Sequence, residues 1–217
     1  MLLTERLHFF DQCDPASLIL LNNTAKYKLY GASEILLYEE DDLNRVYFLI
    51  HGEAKFYKVD RFESEIFLYS LSDQTLLTNI GSLSCESISC FSNIEFMVQS
   101  EVISFDLKLF KEVVQKENQL LINLVNLLAD QKQMVECMIS MGMVYDVTAK
   151  VAKMLHDHLE LYNSLKKQEI SYRLNIQPAT LSRVLAKFIR LGLISEEHQK
   201  TVVLKKEDLS HYFKEAL

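Results

Sequence analysis

Short apolar runs punctuate the first half of the chain, and helical periodicity fills the second. Arg45–Ile50 (RVYFLI) stops at His51-Gly52 and Ala54–Val59 (AKFYKV) follows, which predicts two strands meeting at a glycine turn. Ile66–Leu71 (IFLYSL), Phe96–Val98 and Val102–Asp106 predict further strands. Strands this short, with no crossover helices between them, imply an antiparallel roll or sandwich rather than a parallel sheet.

The period changes near Leu107. Asp106–Val114 predicts a short helix, and Asn118–Met141 a long one without Gly or Pro. Within it Leu120, Leu124, Leu127, Gln131, Met134, Met138 and Met141 recur at alternating steps of four and three. That is an a/d seam, and it is the expected dimerisation surface. Leu121, Val125, Leu128, Val135 and Ile139 lie beside it and widen the apolar stripe, so one flank can pack on the β domain while the seam meets a partner helix. An ordinary core helix is the alternative that this pattern leaves open. Gly142 ends the helix, and Asp146–Tyr162 predicts another. After the polar gap Asn163–Lys167 come Gln168–Asn175 and Pro178–Leu191, two helices separated by two residues. Gly192 stands where a helix C-terminus favours a left-handed residue. Leu193–Ile194 and Thr201–Leu204 bracket the polar Ser195–Lys200 as a β-hairpin wing. The expected fold class is α+β in three parts: a β-roll over 1–116, a dimerisation helix over 117–143 and a winged helix-turn-helix over 144–217.

Charge sharpens the picture. The net charge of −7 is unevenly spread. From Tyr145 onward there are 12 Lys+Arg against 9 Asp+Glu, whereas the first 144 residues hold 11 against 21. Lys166–Arg190 alone sets six basic groups (Lys166, Lys167, Arg173, Arg183, Lys187, Arg190) against Glu169. A basic segment on an acidic chain suits a localised polyanion contact, although a solvated charged face has the same composition. Gln177 takes the cap position before Pro178, whose missing N–H costs nothing at the first helical position. Leu181, Val184, Leu185 and Phe188, at i, i+3, i+4 and i+7, would lock this helix onto its domain. Ala179, Ser182, Arg183, Ala186, Lys187 and Arg190 line its other face. Small residues near its start allow close entry into a major groove, where Arg183 can bridge guanine O6 and N7. Asn175, in the turn between the helices, suits a left-handed backbone.

Gln168-Glu169-Ile170, Leu174-Asn175, Thr180-Leu181-Ser182-Arg183, Gly192-Leu193-Ile194 and Lys200-Thr201 follow one another in the order of a known motif. The pattern resembles the Crp/Fnr superfamily of transcription regulators, specifically in the final third and by architecture in the rest. The resemblance implies a cyclic-nucleotide-binding-like roll and a homodimer on palindromic double-stranded DNA, with RNA polymerase as a partner if the protein activates. Carried over, Arg183 takes the place of the base-reading arginine, and Ser182 matches the serine of the Fnr-like branch. Thr180 and Lys167 fall at phosphate contacts, and Gln177 and Lys187 belong to the same DNA-binding set. Ala179 departs from the family's usual glutamate. A carboxylate accepts from cytosine N4, whereas a methyl group only touches a thymine methyl, so the half-site should differ there. Glu196 and Glu197 are awkward neighbours for phosphates.

The input half is less legible. Many members of the superfamily hold cyclic AMP with a cassette that includes a phosphate-pairing arginine, and Ser72–Gln99 contains no arginine. Glu86 alone does not restore the site, so cyclic AMP is not expected. The four cysteines, Cys13, Cys85, Cys90 and Cys137, lack the clustering an Fnr-type iron–sulfur cluster needs. Cys85 and Cys90 are either a thiol redox pair or buried inert thiols, and Cys137 is expected to serve packing. His51 is either a haem ligand or a turn residue. A gas-, redox- or stress-responsive regulator, haem-dependent or not, and a regulator without any small-molecule effector both remain open. His156 and His158 lie on different helix faces and make no metal site. Enzymatic chemistry in a small β-roll would need several His and carboxylates on neighbouring strands, and His51 is the one His there, so no enzyme is expected. A protein-interaction module built on a winged helix is the remaining rival. No apolar run approaches bilayer length, Met1–Phe10 lacks the apolar core of a signal peptide, and the cysteines make no secreted framework, so a cytoplasmic location is expected.

Overall fold

Alternating burial turns the apolar runs of the first half into strands of two facing sheets. The computed structural model describes residues 2–84, 87–197 and 200–213, which divide into two units, Met1–Met134 and Val135–Leu217. The first unit contains helix α1 (Pro15–Asn22) and strands β1 (Lys26–Tyr30), β2 (Ile35–Leu37), β3 (Asp42–Leu43), β4 (Arg45–His51) and β5 (Glu53–Val59). Strands β6 (Glu65–Ser72), β7 (Thr75–Leu76), β8 (Ile88–Ser89), β9 (Asn93–Phe96) and β10 (Ser100–Asp106) follow, then helix α2 (Leu107–Lys116) and helix α3 (Asn118–Ile139), whose last five residues belong to the second unit. One sheet runs β1-β10-β4-β7 and the other β2-β9-β5-β6, with β3 and β8 paired separately. All their pairings are antiparallel. Phe48, Phe96, Phe105 and Phe110 are fully buried in this unit's core, each contributing on the order of 1.5–3 kcal/mol by leaving water.

The glycine turn at His51-Gly52 exists, but it does not pair the strands on either side. β4 lies in one sheet and β5 in the other, and Gly52 is where the chain crosses. Its φ of +120° is open to glycine, and a Cβ there would stand 2.1 Å from Ser100 Oγ. The predicted strand Phe96–Val98 is displaced for a related reason. β9 ends at Phe96, opposite Ala54, and Met97–Gln99 carry the chain over to β10.

Asp106 starts α2 by accepting from the Leu109 N–H at 2.9 Å. The candidate dimerisation seam is then spent inside the first unit. Leu120 and Leu124 are buried in its core, at 0% and 2% exposure, and Leu127 and Met134 pack against the same core. Gln131 donates its amide to the Leu76 carbonyl at 3.2 Å, and Asn123 donates to the Phe9 carbonyl at 2.7 Å. The flank expected to pack on the β domain is instead the exposed one. Leu121, Val125, Val135 and Ile139 reach solvent, with Val125 at 57%. These four residues are the exposed apolar flank of α3. Met138 is half-buried and Met141 packs at the edge of the second unit's core.

In the second unit a π-type turn, Ser140–Val144, leads to α4 (Val147–Asp157), α5 (Leu159–Ser164), α6 (Lys167–Arg173) and α7 (Pro178–Arg190). The hairpin β11 (Ile194–Glu197) and β12 (Lys200–Val203) precedes α8 (Lys206–Ser210). The single helix expected over Asp146–Tyr162 is two helices, broken at His158, whose φ and ψ are −132° and 42°. Val151, Leu155, Ile170, Leu181, Phe188 and Leu209 close the core. Among the described residues no helix is long and apolar enough to cross a membrane.

Candidate nucleic-acid interface

Two left-handed residues set the geometry of α6 and α7. Asn175 has φ +51°, as its place in the turn predicted. Its N–H donates to the Tyr172 carbonyl and that of Ile176 to Ser171, both at 3.0 Å, the paired bonds that close a helix C-terminus. Gly192, at φ +66°, repeats the arrangement after α7: its N–H reaches the Ile189 carbonyl and that of Leu193 reaches Phe188. Helix α6 begins where the Lys166 N–H donates to the Glu169 carboxylate at 3.0 Å. Helix α7 begins at Pro178 after Gln177, whose side chain makes no cap bond.

The face of α7 formed by Leu181, Val184, Leu185 and Phe188 is buried. Ala179, Ser182, Arg183, Ala186, Lys187 and Arg190 are all exposed, and Thr180 is half-buried at the boundary. The described residues give the Arg183 side chain no hydrogen bond or ion pair, so its donor fork points into solvent. Ser182 donates its hydroxyl to the Pro178 carbonyl at 3.1 Å, which leaves its oxygen able to accept. Lys187 Nζ sits 5.2 Å from the centre of the Tyr212 ring. Lys167, on α6, is exposed and lies 3.7 Å from Glu196 of β11.

Asn163 is a positioning residue the sequence did not reveal. Its amide donates to the Thr201 carbonyl at 2.9 Å and its oxygen accepts from the Thr201 N–H at 2.8 Å, clamping β12 to α5. The spacing of the chain carries no signal for it, because the contact joins segments distant in sequence.

The candidate input residues that the structure describes differ in environment. His51 is exposed, with Nδ1 3.6 Å from the Asp73 carboxylate. Cys85 and Glu86 lie outside the described residues. Cys90 is buried and its thiol donates to the Ser92 carbonyl at 3.1 Å; burial pushes its pKa up. Burial also drives the Cys13 thiol up to about 12. Cys137, on α3, is exposed rather than packed. Since the thiolate is the reactive form, brief iodoacetamide treatment of the native protein at neutral pH should label Cys137 and spare Cys13 and Cys90. Peptide mass spectrometry reads the result, and rapid labelling of Cys90 would reopen its redox role. A cavity of about 300 Å³ lies in the first unit between α3, the β6–β7 turn and the N-terminal segment. Gln74, Asn123 and Gln131 line it, but their amides are already bonded to backbone groups.

The family model for the Crp-like helix-turn-helix domain matches residues 149–212. No sequence match to a curated protein was found. Solved structures match over nearly the whole chain at low identity. FixK2 from Bradyrhizobium japonicum is 14% identical, with 89% of this chain and 99% of that one covered and a TM-score of 0.69. A mutant of CooA from Carboxydothermus hydrogenoformans is 18% identical, with 90% of each chain covered and a TM-score of 0.69. TTHB099, a CRP-family transcriptional regulator from Thermus thermophilus, is 17% identical, with 88% and 98% covered and a TM-score of 0.61. The chain therefore carries a Crp-like helix-turn-helix domain on the fold of the Crp/Fnr-family transcription regulators.

Proposed function

We propose that this protein is a homodimeric, sequence-specific DNA-binding regulator of transcription whose N-terminal unit receives a signal other than cyclic AMP. The observation that carries the reading is α7. Its apolar face is fully engaged, its small N-terminal residues permit close approach to base edges, and Arg183 stands on its exposed face without an intramolecular partner among the described residues. Gln177, Ala179, Thr180, Ser182, Arg183 and Lys187 meet the major groove and its rim, while Lys167 reaches a phosphate. Ala179 shifts the half-site away from the glutamate-read cytosine at one base pair. Dimerisation places two copies of α7 in successive grooves of a palindrome, about one helical turn apart.

In this reading the functional parts are an input roll over 1–116, a dimerising helix over 117–143 and an output domain over 144–217. Two features speak against a cyclic phosphate as the input. Ser72–Gln99 contains no arginine, and the cavity beside α3 is lined by Asp130 with no Lys or Arg. An anion there would face the Asp130 carboxylate with His8 as the one ionisable base among the described lining residues.

Selection of bound duplexes from a random pool tests the reading. A palindromic consensus should emerge, and binding should fall steeply between about 50 and 200 mM salt as counterions are released. Binding without a consensus, insensitive to salt, would instead favour a protein-interaction role for the winged helix.

A further inference from the structure

The wing puts two carboxylates on a domain whose proposed ligand is a polyanion, and the fold separates their roles. Ser195 and Glu197 share one face of β11, where the serine hydroxyl lies 3.3 Å from the Glu197 carboxylate. Glu196 points the other way, toward α6, and its carboxylate lies 3.7 Å from Lys167 Nζ with both side chains more than half exposed. Its placement is not accidental to a loose hairpin. Glu196 pairs in register with Thr201, which is buried and held through both backbone groups by Asn163. The scaffold thus brings a carboxylate to the one lysine of α6 that the proposed interface needs at a phosphate.

We infer that Glu196 is a specificity-positioning residue: it occupies Lys167 until base contacts from α7 fix the docking, and only then yields it to a phosphate. The inference rests on the DNA-binding reading above. An exposed ion pair is weak, so a well-placed phosphate displaces the carboxylate readily. Non-specific binding is carried almost entirely by phosphate contacts and counterion release. In that mode the protein shifts along the duplex, Lys167 stays with Glu196, and one contact is missing. In the specific mode the register is fixed and the contact is made. The Glu196 carboxylate repels phosphates in both modes alike, which lowers both affinities and leaves their ratio unchanged. The transferable lysine is what widens the ratio.

The test uses the full chain and two duplexes of equal length, the selected palindrome and a scrambled sequence, titrated at several salt concentrations. Glu196→Gln should steepen the log–log salt slope on the scrambled duplex by about 0.9, with little change on the palindrome. Over a fourfold rise in salt that is roughly a threefold greater loss of affinity than the parent shows. Glu197→Gln makes the same charge change without touching Lys167, and should raise both affinities together. In a Lys167→Ala background the selective effect of Glu196→Gln should vanish. The inference is overturned if Glu196→Gln behaves like Glu197→Gln, or if its effect survives without Lys167. A parent protein that binds neither duplex overturns the DNA-binding reading, and the inference with it; binding of both duplexes with no effect of Glu196→Gln overturns the inference alone.

Discussion

Arg183→Ala is expected to erase most discrimination between the selected palindrome and random DNA while leaving the fold intact. A bidentate arginine–guanine contact is worth about 1–3 kcal/mol of discrimination against a wrong base. A symmetric dimer makes the contact twice, so the loss is roughly 2–6 kcal/mol over the whole site. Stability should not follow, because the side chain is exposed and the substitution removes no packing from the core of Leu181, Val184, Leu185 and Phe188. Lys167→Ala is the informative contrast. Its phosphate contact reads no base, so that variant should still select the parent's motif, but it should lose more affinity on the palindrome than on random DNA, because the contact is made only in the fixed register. Competition titrations with base-substituted palindromes read both effects, alongside thermal unfolding. If Arg183→Ala selects the parent's consensus with unchanged affinity, the recognition role passes to another residue of α7.

The output domain was legible because its signals are local. A strong 3.6-residue period fixed the buried face of α7, and the two positions needing a left-handed backbone carried Asn175 and Gly192. Proline at the start of α7 and glycine after it bounded the helix on both sides. The break at His158 had no such marker, since neither Gly nor Pro stands there, and α4 and α5 were read as one helix. In the roll, β4, β5, β6 and β10 were visible as runs of apolar and aromatic residues. β3, β7 and β8 are two-residue strands, too short to show a period. β1 shows no buried face either, because four of its five residues are exposed. Whether consecutive strands pair or cross between sheets at Gly52 is a long-range matter. The same His-Gly turn serves both, and the close approach of Ser100 to Gly52 joins positions far apart in sequence.

The long helix shows where periodicity alone stops, and supplies the second large effect. Its apolar stripe is wide enough to hold two overlapping seams, one through Leu120, Leu124 and Leu127 and one through Leu121, Val125, Leu128, Val135 and Ile139. A sequence cannot say which edge meets its own domain, because both have heptad spacing. Leu120 and Leu124 are buried within the protomer and Leu128 packs on the same core, whereas Leu121, Val125, Val135 and Ile139 stay exposed. Lys132 falls on the second seam, between Leu128 and Val135, where a polar residue fixes register at a cost in stability. If the proposed dimer forms through this exposed flank, Val125→Glu places a carboxylate from each protomer in the apolar seam. The penalty for an unpaired charge at such an interface is about 3–5 kcal/mol, enough to leave monomers at micromolar concentration when dimer affinity is ordinary. A monomer presents one α7, so affinity for the palindrome should collapse toward that of a half-site while the thermal transition hardly moves. Leu124→Ala should do the reverse. It opens a cavity in the first unit's core at a cost of about 2–5 kcal/mol, lowering the melting temperature without itself separating the protomers. Light scattering and thermal unfolding of the two variants thus give opposite patterns. Dissociation by Leu124→Ala at unchanged melting temperature, with Val125→Glu still dimeric, would return the interface to the first seam.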